Sequence, residues 1–145
     1  MNKISEIELR YKYKSAKDFK VTSSYSAFEI LRDNWNPDTL ELQEEFKVLL
    51  LDRDNKVLGL YNLSRGGIAG TVVDIRLMMV VALKSKASAI ILAHNHPSGN
   101  LKPSFQDREL TKKILEASKF LDVQLLDHII VTNKCYFSFA DEGFL

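Results

Sequence analysis

A mixed α/β sheet flanked by helices is the fold this sequence predicts, and three observations predict it. Strand-length apolar runs alternate with helix-length amphipathic segments, Ala89–Ala93 is continuously apolar as a buried central strand must be, and the last two runs close as a hairpin. In chain order, Ile4–Tyr13 alternates loosely as a strand, and Ser24 is placed to cap a helix from Tyr25 to about Asn34, which Asn36-Pro37-Asp38 ends. Phe46–Leu51 and Val57–Leu63 read as a hairpin across the turn residues Asp52-Arg53-Asp54-Asn55, and the glycines at 66, 67 and 70 predict an irregular loop. Val72-Val73 reads as a short strand before a helix from about Asp74 to Lys84. The strand Ala89–Ala93 follows, then a helix from Ser104 to Leu121 with Leu110, Ile114, Ala117 and Leu121 as its inward stripe. Val123–Leu126, Ile129–Thr132 and Tyr136–Phe139 complete the strands. There is no repeat and no low-complexity tract, so residues 41–145 read as one domain and residues 1–40 as an N-terminal extension of a strand and a helix.

The chemistry concentrates in one loop. His94 and His96 lie two positions apart at the end of a strand, so their side chains leave the same face. Pro97 keeps His96 extended, Ser98-Gly99-Asn100 turns the chain, and Asp107 falls in the first turn of the next helix, where side chains tilt back toward the N-terminus and the histidines. Two imidazoles and a carboxylate, with a fourth position left for water, describe a catalytic zinc site rather than a closed structural one. The competing reading of Asp107 is the second half of a capping box begun by Ser104. Hydrolysis at such a site needs a carboxylate base that is not itself a ligand, and Glu41, Glu44 and Glu45 are the upstream candidates.

Composition narrows the class. With 145 residues, 46% hydrophobic and 27% charged, the chain has the balance of an ordinary globular domain. A formal net charge of +1 gives no general attraction to nucleic acid, although residues 1–20 are locally basic. The one cysteine, Cys135, excludes an intrachain disulfide and a cysteine-rich zinc site, which fits a reducing cytoplasm. The N-terminus is too polar for a signal peptide, and the apolar run Leu77–Leu83 is far short of a membrane span. Without a His-x-Glu and a Pro-Cys-x-x-Cys pair, zinc deaminase chemistry is not expected.

The string His94-Asn95-His96-Pro97, with Ser104 and Asp107 at their spacing, resembles the JAMM motif of JAB/MPN metallopeptidases. The surrounding segments Glu44–Asp52, Leu63–Gly67, Ala89–Gly99 and Leu126-Asp127-His128 are similar, in order, to the RadC family, over roughly residues 41–145. The resemblance implies the cytidine-deaminase-like three-layer fold and a zinc-dependent hydrolase of amide or isopeptide bonds in a peptide or protein substrate. It implies His94, His96 and Asp107 as ligands, selects Glu44 as base through the family's Glu-x-Phe pattern with Glu45 as fallback, and gives Ser104 the developing oxyanion. Longer members carry an N-terminal helix-hairpin-helix region that binds DNA. The first 40 residues leave no room for one, which weakens the inherited claim of DNA binding, and duplex binding no better than nonspecific is expected. The alternative reading is a DNA-repair or mobile-element accessory protein that acts by binding and retains the metal site. Asp127-His128, at the start of a strand, reads either as support for a ligand or as a core histidine satisfied by backbone, and Arg65 as a grip on substrate or phosphate or as a solvated loop residue.

Overall fold

The computed structural model of the chain describes residues 3–10, 12, 19–66 and 72–145. Among these lie three helices, α1 (Ser24–Asp33), α2 (Ile75–Lys84) and α3 (Phe105–Phe120). The strands are β1 (Glu45–Leu51), β2 (Val57–Arg65), β3 (Ala89–Asn95), β4 (Gln124–Val131) and β5 (Tyr136–Ser138). They form one mixed sheet in the order β2-β1-β3-β4-β5. β1 is antiparallel to β2 and β3, β3 is parallel to β4 through the α3 crossover, and β5 folds back antiparallel on β4.

Strand alternation sorts the side chains into two cores, one on each face of the sheet. Leu49, Leu51, Ile91, Ala93, Ile129 and Val131 pack on one face with Phe28 and Leu31 of α1 and with Trp35 and Leu40. On the other, Phe46, Val48, Leu50, Ile90 and Leu92 pack with Met78, Met79 and Ala82 of α2 and Ile114 of α3. The result is a helix–sheet–helix sandwich, in which α1 and the segment to Leu40 supply one whole layer. The histidine face is the α2/α3 face, because His94 follows Ile90 and Leu92 at intervals of two.

Several expectations are revised. Residues 3–10 and 12 lie in no strand, nor do Val72 and Val73, while Tyr11, Tyr13 and residues 67–71 fall outside the described residues. The N-cap of α1 is Ser23, whose hydroxyl accepts from the Ser26 N–H. β2 continues through Arg65, because its edge pairing with β1 carries on past the point where the apolar run stops. The two strands expected between Val123 and Thr132 are one, since Asp127 and His128 stay in register with Ile91 and Leu92 of β3. On α3 the buried residues are Thr111, Ile114 and Ser118, with Leu110 and Ala117 flanking them, and Leu121 lies past the helix, partly exposed. Two polar residues of that stripe were thus invisible to an apolar pattern.

Candidate metal centre

Glu44, His94, His96 and Asp107 converge, with one ligand atom of each lying within 4.8 Å of the others. His94 and His96 come from the C-terminal end of β3, Glu44 from the residue before β1, and Asp107 from the first turn of α3. Antiparallel pairing places Phe46 opposite His94, which puts the start of β1 beside the end of β3. Gly66 donates its N–H to the Glu44 carbonyl at 2.9 Å and extends the β1–β2 ladder to that residue. Glu45 points to the opposite face. There its carboxylate is 3% exposed, accepts from the Thr39 hydroxyl at 2.7 Å, and lies 3.1 Å from Lys47 Nζ and 3.7 Å from Arg65 Nε. Lys47 in turn sits 4.7 Å over the Trp35 ring. Glu45 is therefore a buried structural carboxylate and Arg65 its outer partner. Burial alone would raise the Glu45 pKa, but hydrogen bonds from Thr39 and Lys47 and the charges of Lys47 and Arg65 hold it below its usual value.

His94 Nε2 and His96 Nε2 are 2.9 Å apart, and Asp107 Oδ2 lies 3.4 Å from each. A tetrahedral zinc ion with bonds of about 2.0–2.2 Å separates its ligand atoms by about 3.3–3.6 Å, so this triangle fits such an ion with little adjustment. The turn after β3 orients His96. Gly99 at φ +81° lets its N–H donate to the His96 carbonyl at 2.8 Å, and the returning Asn100 carbonyl lies 2.5 Å from His96 Nδ1. A carbonyl oxygen only accepts, so Nδ1 carries a hydrogen and Nε2 is the ring nitrogen left to face the cluster.

Asp107 does two things at once. Its Oδ2 accepts from the Ser104 N–H at 2.8 Å while the Ser104 hydroxyl accepts from the Asp107 N–H at 3.0 Å, a complete capping box. The cap and the ligand reading of Asp107 are thus compatible: the cap aims the carboxylate at the histidines. Burial would raise the Asp107 pKa, but the imidazoles of His94 and His96 and the Ser104 N–H hold it far below the carboxylate range. Burial would lower His96, yet hydrogen bonding to Asp107 and Asn100 and the charges of Asp107 and Glu44 raise it. Asp107 is thus held as an anion and His96 lies in its negative field, an arrangement that suits a cation placed between them.

Four further residues, Asn95, Thr111, Asp127 and His128, surround the cluster. Asn95, between the histidines, faces the opposite layer and is fully buried. His128, fully buried, lies 2.7 Å from His94 Nδ1 through its Nε2 and 2.6 Å from the Thr111 hydroxyl through its Nδ1. It is a core histidine, but side chains rather than backbone satisfy its ring. Burial, reinforced by His94 nearby, pushes its pKa well below the ordinary value. Asp127 does not touch that ring. Its carboxylate accepts from the N–H groups of His128 and Ala140 and from the Ser138 hydroxyl, and burial raises its pKa despite these bonds. Thr111, four residues after Asp107, shares its helix face and was findable by that spacing.

Fold and donor set together define a three-layer α/β domain with a candidate metal-binding group at the end of its central strand. A family model described as the RadC-like JAB domain matches residues 21–144, and the chain belongs to that family. A UPF0758 protein of Flavobacterium johnsoniae is 51% identical over 125 residues, covering 86% of this chain and 53% of its own length. One from Porphyromonas gingivalis is 52% identical over 104 residues, covering 71% and 46% respectively, and one from Clostridium acetobutylicum is 36% identical over 143 residues, covering 98% and 61%. The chain therefore spans about half the length of the curated relatives it matches. No helix among the described residues is long and apolar enough to cross a membrane.

Proposed function

We propose that this domain is a zinc-dependent hydrolase of the JAMM type, cleaving an amide or isopeptide bond in a peptide or protein substrate inside the cell. The convergence of Glu44, His94, His96 and Asp107 carries this reading. His94, His96 and Asp107 would hold the ion. When bound, zinc acts as a Lewis acid on the scissile carbonyl and lowers the pKa of water at the open position to about 7.

Glu44 is only partly buried, its backbone carbonyl is fixed by Gly66, and a carboxylate oxygen lies within 4.8 Å of the other three groups, which suits a base beside the ion rather than a core carboxylate. It takes the proton of the attacking water and passes it to the departing amine nitrogen, which leaves as a neutral amine. Ser104 is exposed, and the capping box uses one lone pair of its hydroxyl oxygen and leaves the hydroxyl hydrogen for the developing oxyanion. A cleft of about 330 Å³ beside His96, lined by Leu40, Pro97, Gly99, Thr132 and Lys134 among others, offers room for a chain flanking the scissile bond. DNA recognition has no part in this reading, given the net charge of +1.

The test is turnover of linear and isopeptide-linked peptide libraries by zinc-loaded protein against its Glu44→Gln variant. Cleavage that disappears in the variant while zinc content is kept supports the proposal. Cleavage equal in both sinks the mechanism, and no cleavage of any such substrate by the wild type removes the hydrolase reading.

A further inference from the structure

The hydrogen positions around His128 can be derived from the atoms that surround it. Thr111 Oγ1 lies 2.7 Å from the Asp107 carbonyl oxygen and 2.6 Å from His128 Nδ1. A carbonyl oxygen cannot donate, and two oxygens at that distance need a hydrogen between them, so the single Thr111 hydroxyl hydrogen is committed to Asp107. Toward His128 the hydroxyl can only accept. His128 Nδ1 therefore carries a hydrogen.

The His128 ring stacks on Phe139 at 4.5 Å between centroids and meets Phe46 edge-on at 5.5 Å. Its nitrogens face a hydroxyl and another imidazole, not a carboxylate, and a second ring hydrogen would bury an unpaired positive charge among aromatic rings. One hydrogen on Nδ1 leaves a lone pair on Nε2. His94 Nδ1, 2.7 Å away, must then be the donor, and His94 Nε2 is left with the lone pair that faces His96 and Asp107.

We infer that Thr111 and His128 are positioning residues that lock His94 as its Nδ1–H tautomer, so that Nε2 is always available to a metal. The relay starts at the backbone carbonyl of Asp107 and ends facing the carboxylate of the same residue. One turn of α3 thereby sets both the third donor and the tautomer of the first. Replacing Thr111 by valine keeps the shape and removes the acceptor. His128 then gains by moving its hydrogen to Nε2, where it donates to His94 Nδ1 and forces the His94 hydrogen onto Nε2, which blocks the lone pair. The consequence for metal affinity rests on the reading of His94 as a ligand.

The experiment measures the three histidine tautomers by long-range nitrogen–proton NMR on zinc-free protein, and zinc affinity by competition with a chromophoric chelator, for wild type, Thr111→Val and Thr111→Ser. Expected are His94 Nδ1–H in wild type and Thr111→Ser, a shift toward Nε2–H in Thr111→Val, and zinc affinity about 10–100-fold weaker in the valine variant alone. The wild-type spectrum needs no variant to fold: His94 protonated on Nε2 there overturns the relay. So does zinc binding equally to wild type and Thr111→Val with His94 Nδ1–H in both. Failure of wild type to bind zinc at all, with the tautomers as derived, instead overturns the ligand reading on which the affinity change rests.

Discussion

The side-chain oxygen of Asn95 accepts the backbone N–H of Glu45 at 2.7 Å, and its amide nitrogen donates to the carbonyls of Leu40 and Gln43 at 2.7 and 2.8 Å. The residue between the two histidines thus holds the segment that carries Glu44. Glu44 and the two histidines share one rigid frame although about fifty residues of chain separate them.

Loss of that frame should be visible as stability. Asn95→Ala leaves one buried N–H and two carbonyls without a partner, and we expect a cost of about 2–4 kcal/mol by urea denaturation. Asn95→Asp keeps the acceptor for Glu45 but turns an oxygen toward two carbonyls, so it should be no better than alanine. A cost below about 0.5 kcal/mol for both would show that the segment is held by other contacts.

Purified protein should hold about one equivalent of divalent metal, and His94→Ala and His96→Ala should each lose it, because three donors leave no redundancy. Metal analysis that finds equal content in wild type and both variants would remove the site.

Glu44→Gln retains shape and hydrogen-bonding reach but cannot take a proton. Metal content and melting temperature should stay near wild type, while turnover falls by about 10²-fold or more. Loss of metal in this variant would make Glu44 a ligand rather than a base.

Glu45 should behave differently from its neighbour. Its folded pKa is lowered, so the stability it contributes is present above its usual value of 4.5 and is lost as pH falls through the lower folded value. Glu45→Gln leaves the buried Lys47 ammonium with only the Asn62 side-chain oxygen and the Trp35 ring and no opposite charge, and should cost about 3 kcal/mol at neutral pH. The gap to wild type should narrow as acid protonates Glu45 in the wild type as well. Urea midpoints for both proteins between about pH 7 and pH 3 check this, and a gap independent of pH would contradict the ion pair.

With a net charge of +1, duplex DNA should be bound weakly, without sequence preference and with steep salt dependence. Sub-micromolar, sequence-selective binding at about 0.15 M salt, where charges more than about 8 Å apart are screened, would favour an accessory role instead.

The convergence of His94, His96 and Asp107 was legible because local geometry dictates it. Two histidines at strand spacing and an aspartate three residues after a capping serine converge whatever the rest of the chain does. The role of Asn95 was not legible, and His128 stayed between two readings, because each depends on a partner 34 to 55 residues away that only the sheet register brings near. Glu44 and Glu45 look alike in sequence, and the strand's alternation alone sends one to the cluster and the other into the opposite core. The long strand β4 was split in reading because Asp127 and His128 interrupt its apolar run, yet both are satisfied by side-chain and backbone partners within the fold.

Trp35, beneath the Lys47 ammonium, is the only tryptophan in the chain, and it lies in the layer away from the histidines. The protein therefore carries an intrinsic fluorophore on the side of the sheet remote from the candidate metal centre. Its emission follows the docking of the α1 layer, while absorption of a cobalt substitute would follow the histidines. The two halves of the sandwich can be watched separately in one cuvette, and a variant that empties the site can be told by colour from one that loosens the fold.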